Sequence, residues 1–146
     1  MAFRFTLAPV LKYREALEQR EYLALEKIQL EIAQAERRLQ KFEESWAAAA
    51  KRREGELRQG TPSIHLQAAY NQELFLQKQR DDLLLKLQEL QAKRQQAMKA
   101  YERARQKREV LQELRARQLD VYQHEQAKRE QRTLDDIFLS RHRRGH

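Results

Sequence analysis

Between residues 25 and 49, apolar side chains recur in alternating steps of three and four. They are Leu25, Ile28, Ile32, Ala35, Leu39, Phe42, Trp46 and Ala49. That spacing keeps one stripe of a helix apolar and predicts a coiled-coil seam. Towards the N-terminus the apolar positions shift to Val10, Tyr13, Leu17 and Ala24, which reads as a stutter in the repeat. A second seam runs through Leu83, Leu87, Leu90, Ala97, Tyr101, Ala104 and Leu111, interrupted by Arg94 and Arg108. Leu114, Val121 and Tyr122 continue it with drift. Arginine at a seam position lowers stability and can fix register, its stem packing while its head reaches out.

The breaks are few. Gly60 suits a helix end, and Thr61-Pro62 suits the N-cap and first residue of the next helix. Pro9 marks the first turn of an earlier helix capped near Thr6 or Leu7. The pattern therefore predicts helix one over about residues 8–57, a loop over about 58–61, and helix two over about 62–138. A basic tail follows over about residues 140–146, read as frayed. The helices would be roughly 75 Å and roughly 115 Å long. A short loop between long helices makes them antiparallel neighbours. The expected fold is all-α: one coiled-coil domain over 1–146, a hairpin of two long helices. Helix two is the longer, so its last segment, Thr133 to Leu139, should project beyond the hairpin without a partner.

Composition narrows the class. Of 146 residues, 86 are Ala, Glu, Lys, Leu or Arg, with only three Gly and two Pro. These are strong helix formers, and so few turn residues exclude sandwiches, barrels and alternating α/β folds. Charged residues make up 36% of the chain, and the hydrophobic 40% includes 18 Ala, which suits a narrow seam rather than a thick core. The net charge of +8 favours acidic partners. No cysteine is present, so there is no disulfide frame, zinc finger or thiol nucleophile. No apolar run approaches the roughly 18 residues of a membrane span, and the N-terminus lacks a signal-peptide core.

Candidate chemistry is sparse. The four His are His65, His124, His142 and His146; none forms a zinc-binding helix motif. His142 and His146 lie four apart, but in the terminal tail, where solvation is the plainer role. Asp81-Asp82 and Asp135-Asp136 are adjacent, so on a helix their carboxylates diverge by about 100° and do not form an acid–base pair. No Gly-rich phosphate loop occurs. No catalytic residue, metal or cofactor is called for, and the chain is read as non-enzymatic. The segment Lys93–Arg108 holds seven basic residues against Glu102 and could track phosphates. Its charges spread around the helix, however, and Tyr101 is its lone aromatic, so a solvated or protein-facing surface fits better. Phe42 and Trp46, beside Ala47–Ala50 and opposite Tyr70, Leu74, Phe75 and Leu76, are either interface anchors or filling for the hairpin near its turn.

The opening Phe3-x-Phe5-x-Leu7-x-x-Val10-Leu11-x-x-Arg14, Gly60 at the hairpin, Tyr70 shortly after, and Leu134-Asp135-Asp136-Ile137 together resemble the FliJ family of flagellar type III export proteins. The resemblance covers nearly the whole chain, and its opening and closing motifs are the specific parts. It implies an antiparallel coiled coil similar to the gamma-subunit stalk of rotary ATPases. The terminal segments would enter a hexameric export ATPase ring, promote its assembly and ATP hydrolysis, and link it to the membrane export gate. A chaperone-escort role with export chaperones is implied too, at the cytoplasmic face of the flagellar basal body on the inner membrane. Under that resemblance the ring-binding candidates are Phe5, Val10, Tyr13, Leu17, Leu119, Tyr122, Asp135 and Asp136. The gate-binding candidates are Arg38, Phe42, Trp46, Tyr70 and Leu74. The family's gate-facing stripe carries more aromatics on helix one; Ser45 and Ala49 stand there in this chain.

Three other readings compete. One is the equivalent stalk of a virulence secretion system. Another is a basic helical hairpin binding nucleic acid, although the charge distribution leads us to expect no nucleic-acid partner. The last is a generic coiled-coil scaffold that self-associates.

Overall fold

A computed structural model describes residues 2–60 and 62–144. The described residues form two helices and no strand: α1, Ala8–Arg58, and α2, Ser63–Arg144. They pack antiparallel as a two-helix hairpin. Helix α1 opens on the Leu7 carbonyl, which accepts from the Leu11 N–H at 2.9 Å. Pro9 falls in the first turn, where its missing N–H has no intrahelical acceptor to lose. At the other end Gly60 adopts φ +73°, the left-handed conformation that closes a helix C-terminus. Helix α2 opens on the Pro62 carbonyl, which accepts from His65 and Leu66 N–H groups at 3.1 and 3.3 Å. The expected N-cap Thr61 lies outside the described residues.

The second helix runs six residues beyond the expected end at 138, through Arg144. Arg141, Arg143 and Arg144 occupy its last turn, where cations oppose the negative end of the helix dipole. The segment read as a frayed tail is thus helical up to that point.

By its contacts the chain divides into two compact units. The terminal unit joins residues up to Arg20 with those from Glu102 onward; the loop-side unit spans Glu21–Tyr101. In the loop-side unit, Ile32, Ala35, Leu87 and Leu90 form the core, with Ile28 and Leu39 packed against it. In the terminal unit, Phe5 and Leu11 are buried. Among the described residues no large side chain is fully enclosed. Two helices make one line of contact, so every seam residue keeps an edge in water.

All eight positions of the Leu25–Ala49 stripe are buried or half-buried, as are the seven of the Leu83–Leu111 stripe. The stutter is not borne out. Burial continues N-terminally in the same steps through Glu21, Glu18, Arg14 and Leu11, while Val10 is 40% and Tyr13 60% exposed. The repeat was masked because charged residues occupy it, packing by their stems. Val121 is also exposed, whereas Leu114 and Tyr122 are half-buried.

Heptad letters follow from these seams. Positions a and d line the contact, with Leu25 and Ile28 as a and d on α1, and Leu87 and Leu90 as a and d on α2. Positions e and g border it, and b, c and f face outward.

Candidate partner-binding surfaces

In the terminal unit the chain entering α1 folds back on α2. The Phe3 ring lies 5.6 Å from that of Tyr122. The Arg115 guanidinium sits 5.8 Å from the Phe3 ring centre, within cation–π range. Phe5 packs inside, and its carbonyl accepts from the Ala8 N–H at 3.1 Å. Of the eight ring-binding candidates, Phe5 is therefore buried within the unit. Leu17, Leu119 and Tyr122 are half-buried, while Val10, Tyr13, Asp135 and Asp136 lie on the surface.

A charged pair sits on the seam of this unit. Arg108 donates from Nε to Glu18 Oε2 at 2.5 Å and from Nη2 to Glu18 Oε1 at 3.1 Å. Nη1 of the same guanidinium donates to the Gln112 carbonyl oxygen of the side chain. Within the basic segment, then, one cation is committed to the fold, and Arg105 lies 3.6 Å from Glu109 one turn on.

Beyond Gln126 every residue of α2 through Arg144 is exposed. Leu134, Ile137, Phe138 and Leu139 all stand in solvent. Asp135 accepts from Gln131 Nε2 at 3.2 Å, and the Phe138 ring stacks on His142.

The gate-binding candidates in the loop-side unit do not gather into one patch. Phe42 and Trp46 occupy seam positions d and a and are half-buried, which favours the hairpin-filling role. Arg38 is at g and borders a groove with Glu31, Gln34, Leu83 and Lys86. Tyr70 and Leu74, both exposed, are at e and b, on the other flank of the seam. The seam near the turn also carries an Arg53–Glu73 ion pair. Hydrophobic residues alone do not mark Glu73 or Arg115, whereas the seven-residue spacing of Leu11, Glu18 and Leu25 places Glu18 on the seam.

Among the described residues no cluster of His, Cys, Asp and Glu could hold a metal ion, and no helix is long and apolar enough to cross a membrane. His124 is engaged locally, its Nδ1 3.0 Å from the Asp120 carbonyl. His146, the second member of the tail pair, lies outside the described residues.

Compared with known proteins, residues 3–146 match the family model for the flagellar FliJ protein. No curated protein and no solved structure matches the chain.

Proposed function

The chain belongs to the flagellar FliJ family, which gives it a role in flagellar protein export, and on that premise we propose that it is a non-enzymatic stalk and adaptor. Its terminal unit enters the hexameric export ATPase ring, promotes ring assembly and ATP hydrolysis, and links the ring to the membrane export gate. It works in the cytoplasm, at the cytoplasmic face of the inner membrane, and meets export chaperones there.

The observation that supports this reading is the uncovered end of α2. Eighteen successive helical residues, Ala127–Arg144, are all exposed and carry four large apolar side chains. A helix that cannot bury its apolar face within its own chain is completed by a partner. Val10 and Tyr13 on α1 add exposed apolar area to the same unit. Asp135 and Asp136 supply carboxylates beside Leu134 and Ile137, suited to cationic groups lining a ring. Gate contact falls to Tyr70 and Leu74, which are exposed, with Phe42 and Trp46 holding the seam behind them.

The test is steady-state ATP hydrolysis by the cognate flagellar export ATPase with and without this protein, with light scattering on the same samples. A higher rate together with a ring-sized species is expected. No change in either, with an active ATPase, would remove the stalk reading.

A further inference from the structure

The loop-side unit has two flanks that differ in charge. The g flank is identified by its grooves: Glu31, Arg38 and Lys86 border one, and Arg52 and Gln72 another. The e flank lies on the other side of the seam. There Tyr22 meets Tyr101 with ring centres 5.7 Å apart, and Arg80 reaches across to Glu43 at 3.5 Å.

No b or e position of this unit carries Lys or Arg, on either helix. The cations sit at g, c and f, as with Lys27, Arg38, Lys86 and Lys93, or on the seam, as with Arg53 and Arg80. The charges at b and e are all negative: Glu26, Glu36, Glu43, Glu54 and Asp81. Between them stand glutamines and the exposed apolar side chains Tyr22, Leu57, Tyr70, Leu74, Leu84 and Met98. In a chain of net charge +8 this flank is acidic and partly apolar.

Its complement is present in the same sequence. The uncovered part of α2, Ala127–Arg144, has six Lys or Arg against three Asp or Glu. Leu134, Ile137 and Phe138 share one face at i, i+3 and i+4. Two such tails packed on each other would bring their basic ends together, which charge repulsion opposes.

We propose that the e flank of the loop-side unit is a docking site for the α2 tail of a second copy of this chain. The Leu134–Ile137–Phe138 face seats against Leu84, and the tail's cations lie beside Glu36 and Asp81, within about a turn or two of it across the flank. The contact is small and charge-assisted, so it forms reversibly at micromolar concentrations and weakens as salt screens it. It does not rest on the export reading, because the purified protein alone tests it.

The experiment is sedimentation velocity on the full chain over a micromolar concentration series at low and high salt. Mass should rise with concentration above the single-chain 17.6 kDa and fall back with salt. The double variant Glu36→Lys/Leu84→Lys should associate about tenfold more weakly, since like charges across an interface repel. Its helicity by circular dichroism should be unchanged, both positions being exposed. Because the chain has no cysteine, a Gln88→Cys copy mixed with a Ser140→Cys copy should give mainly the mixed disulfide dimer. A single-chain mass throughout, undiminished association in the double variant, or predominance of the Ser140→Cys homodimer would each overturn the proposal.

Discussion

Glu18 and Arg108 meet across the seam of the terminal unit in a two-point ion pair, with Arg108 Nε 2.5 Å from one carboxylate oxygen and Nη2 3.1 Å from the other. Both side chains are about one-fifth exposed, at 18% and 22%. They sit at seam positions that apolar residues fill elsewhere. Planar two-point geometry matters here: it fixes the distance and angle between the helices as an aliphatic contact does not. A double-mutant cycle with Glu18→Gln and Arg108→Gln should give a coupling of roughly 1–2 kcal/mol in urea denaturation, above the usual surface pair. A coupling near zero would show that the pair does not hold the terminal helices in register.

The core and the outer face of the loop-side unit should respond very differently to truncation. Leu87→Ala removes a buried side chain from the Ile32–Ala35–Leu90 cluster and should cost about 2–4 kcal/mol. Leu30→Ala lies at an outward f position, 62% exposed, and should cost less than about 0.5 kcal/mol. Thermal melts followed by circular dichroism separate the two. Equal losses would mean that the seam has been placed on the wrong face of α1.

The two glycines at the turn should have opposite signs. Gly55 is inside α1 with open space around an added Cβ, so Gly55→Ala should stabilise by about 0.5–1 kcal/mol. Gly60 has φ +73°, so Gly60→Ala should destabilise by roughly 1 kcal/mol despite equal room. Denaturant midpoints for the pair of variants give the comparison directly.

Phe3 ties the arm before α1 to α2 through Tyr122 and Arg115. Phe3→Ala should cost about 1 kcal/mol, and the loss should be local. Hydrogen exchange is the informative measurement, with faster exchange expected around Leu11 and Leu119 and none at Leu87. Uniform acceleration across both units would instead indicate that the arm supports the whole fold.

The basic segment offers a test of partner contact that avoids the fold. Arg108 is taken up by Glu18, so its replacement confounds binding with stability. Arg103 and Lys107 are exposed. Arg103→Ala/Lys107→Ala should leave helicity intact and weaken binding to the export ATPase several-fold at low salt, with little difference at high salt. Unchanged affinity at low salt would exclude this face from the contact.

Much of this protein is legible in its primary structure, and the reason is repetition. Leu25 through Ala49 and Leu83 through Leu111 announce two helices with one buried stripe each, because a 3–4 spacing has no other stable outlet. Gly60 and Pro62 locate the turn. The opening and closing motifs point to the FliJ family, whose model spans residues 3–146. The candidate sites were less legible. Phe5, a ring-binding candidate, is buried within its unit, and the gate-binding candidates Arg38, Phe42 and Tyr70 fall on g, d and e positions.

Taken alone, then, the sequence determined the helices, their turn and the fold class, since propensity, periodicity and backbone restriction act over a few neighbouring residues. Tertiary structure decided what depends on residues far apart in the chain. It set Glu18 against Arg108, at a point where the apolar positions read as a shift. It brought Phe3 to Tyr122 and Arg115. The pattern can place a charged residue such as Arg108 on a seam, but which opposite charge it meets depends on the register between two helices, and only the packed structure supplies that.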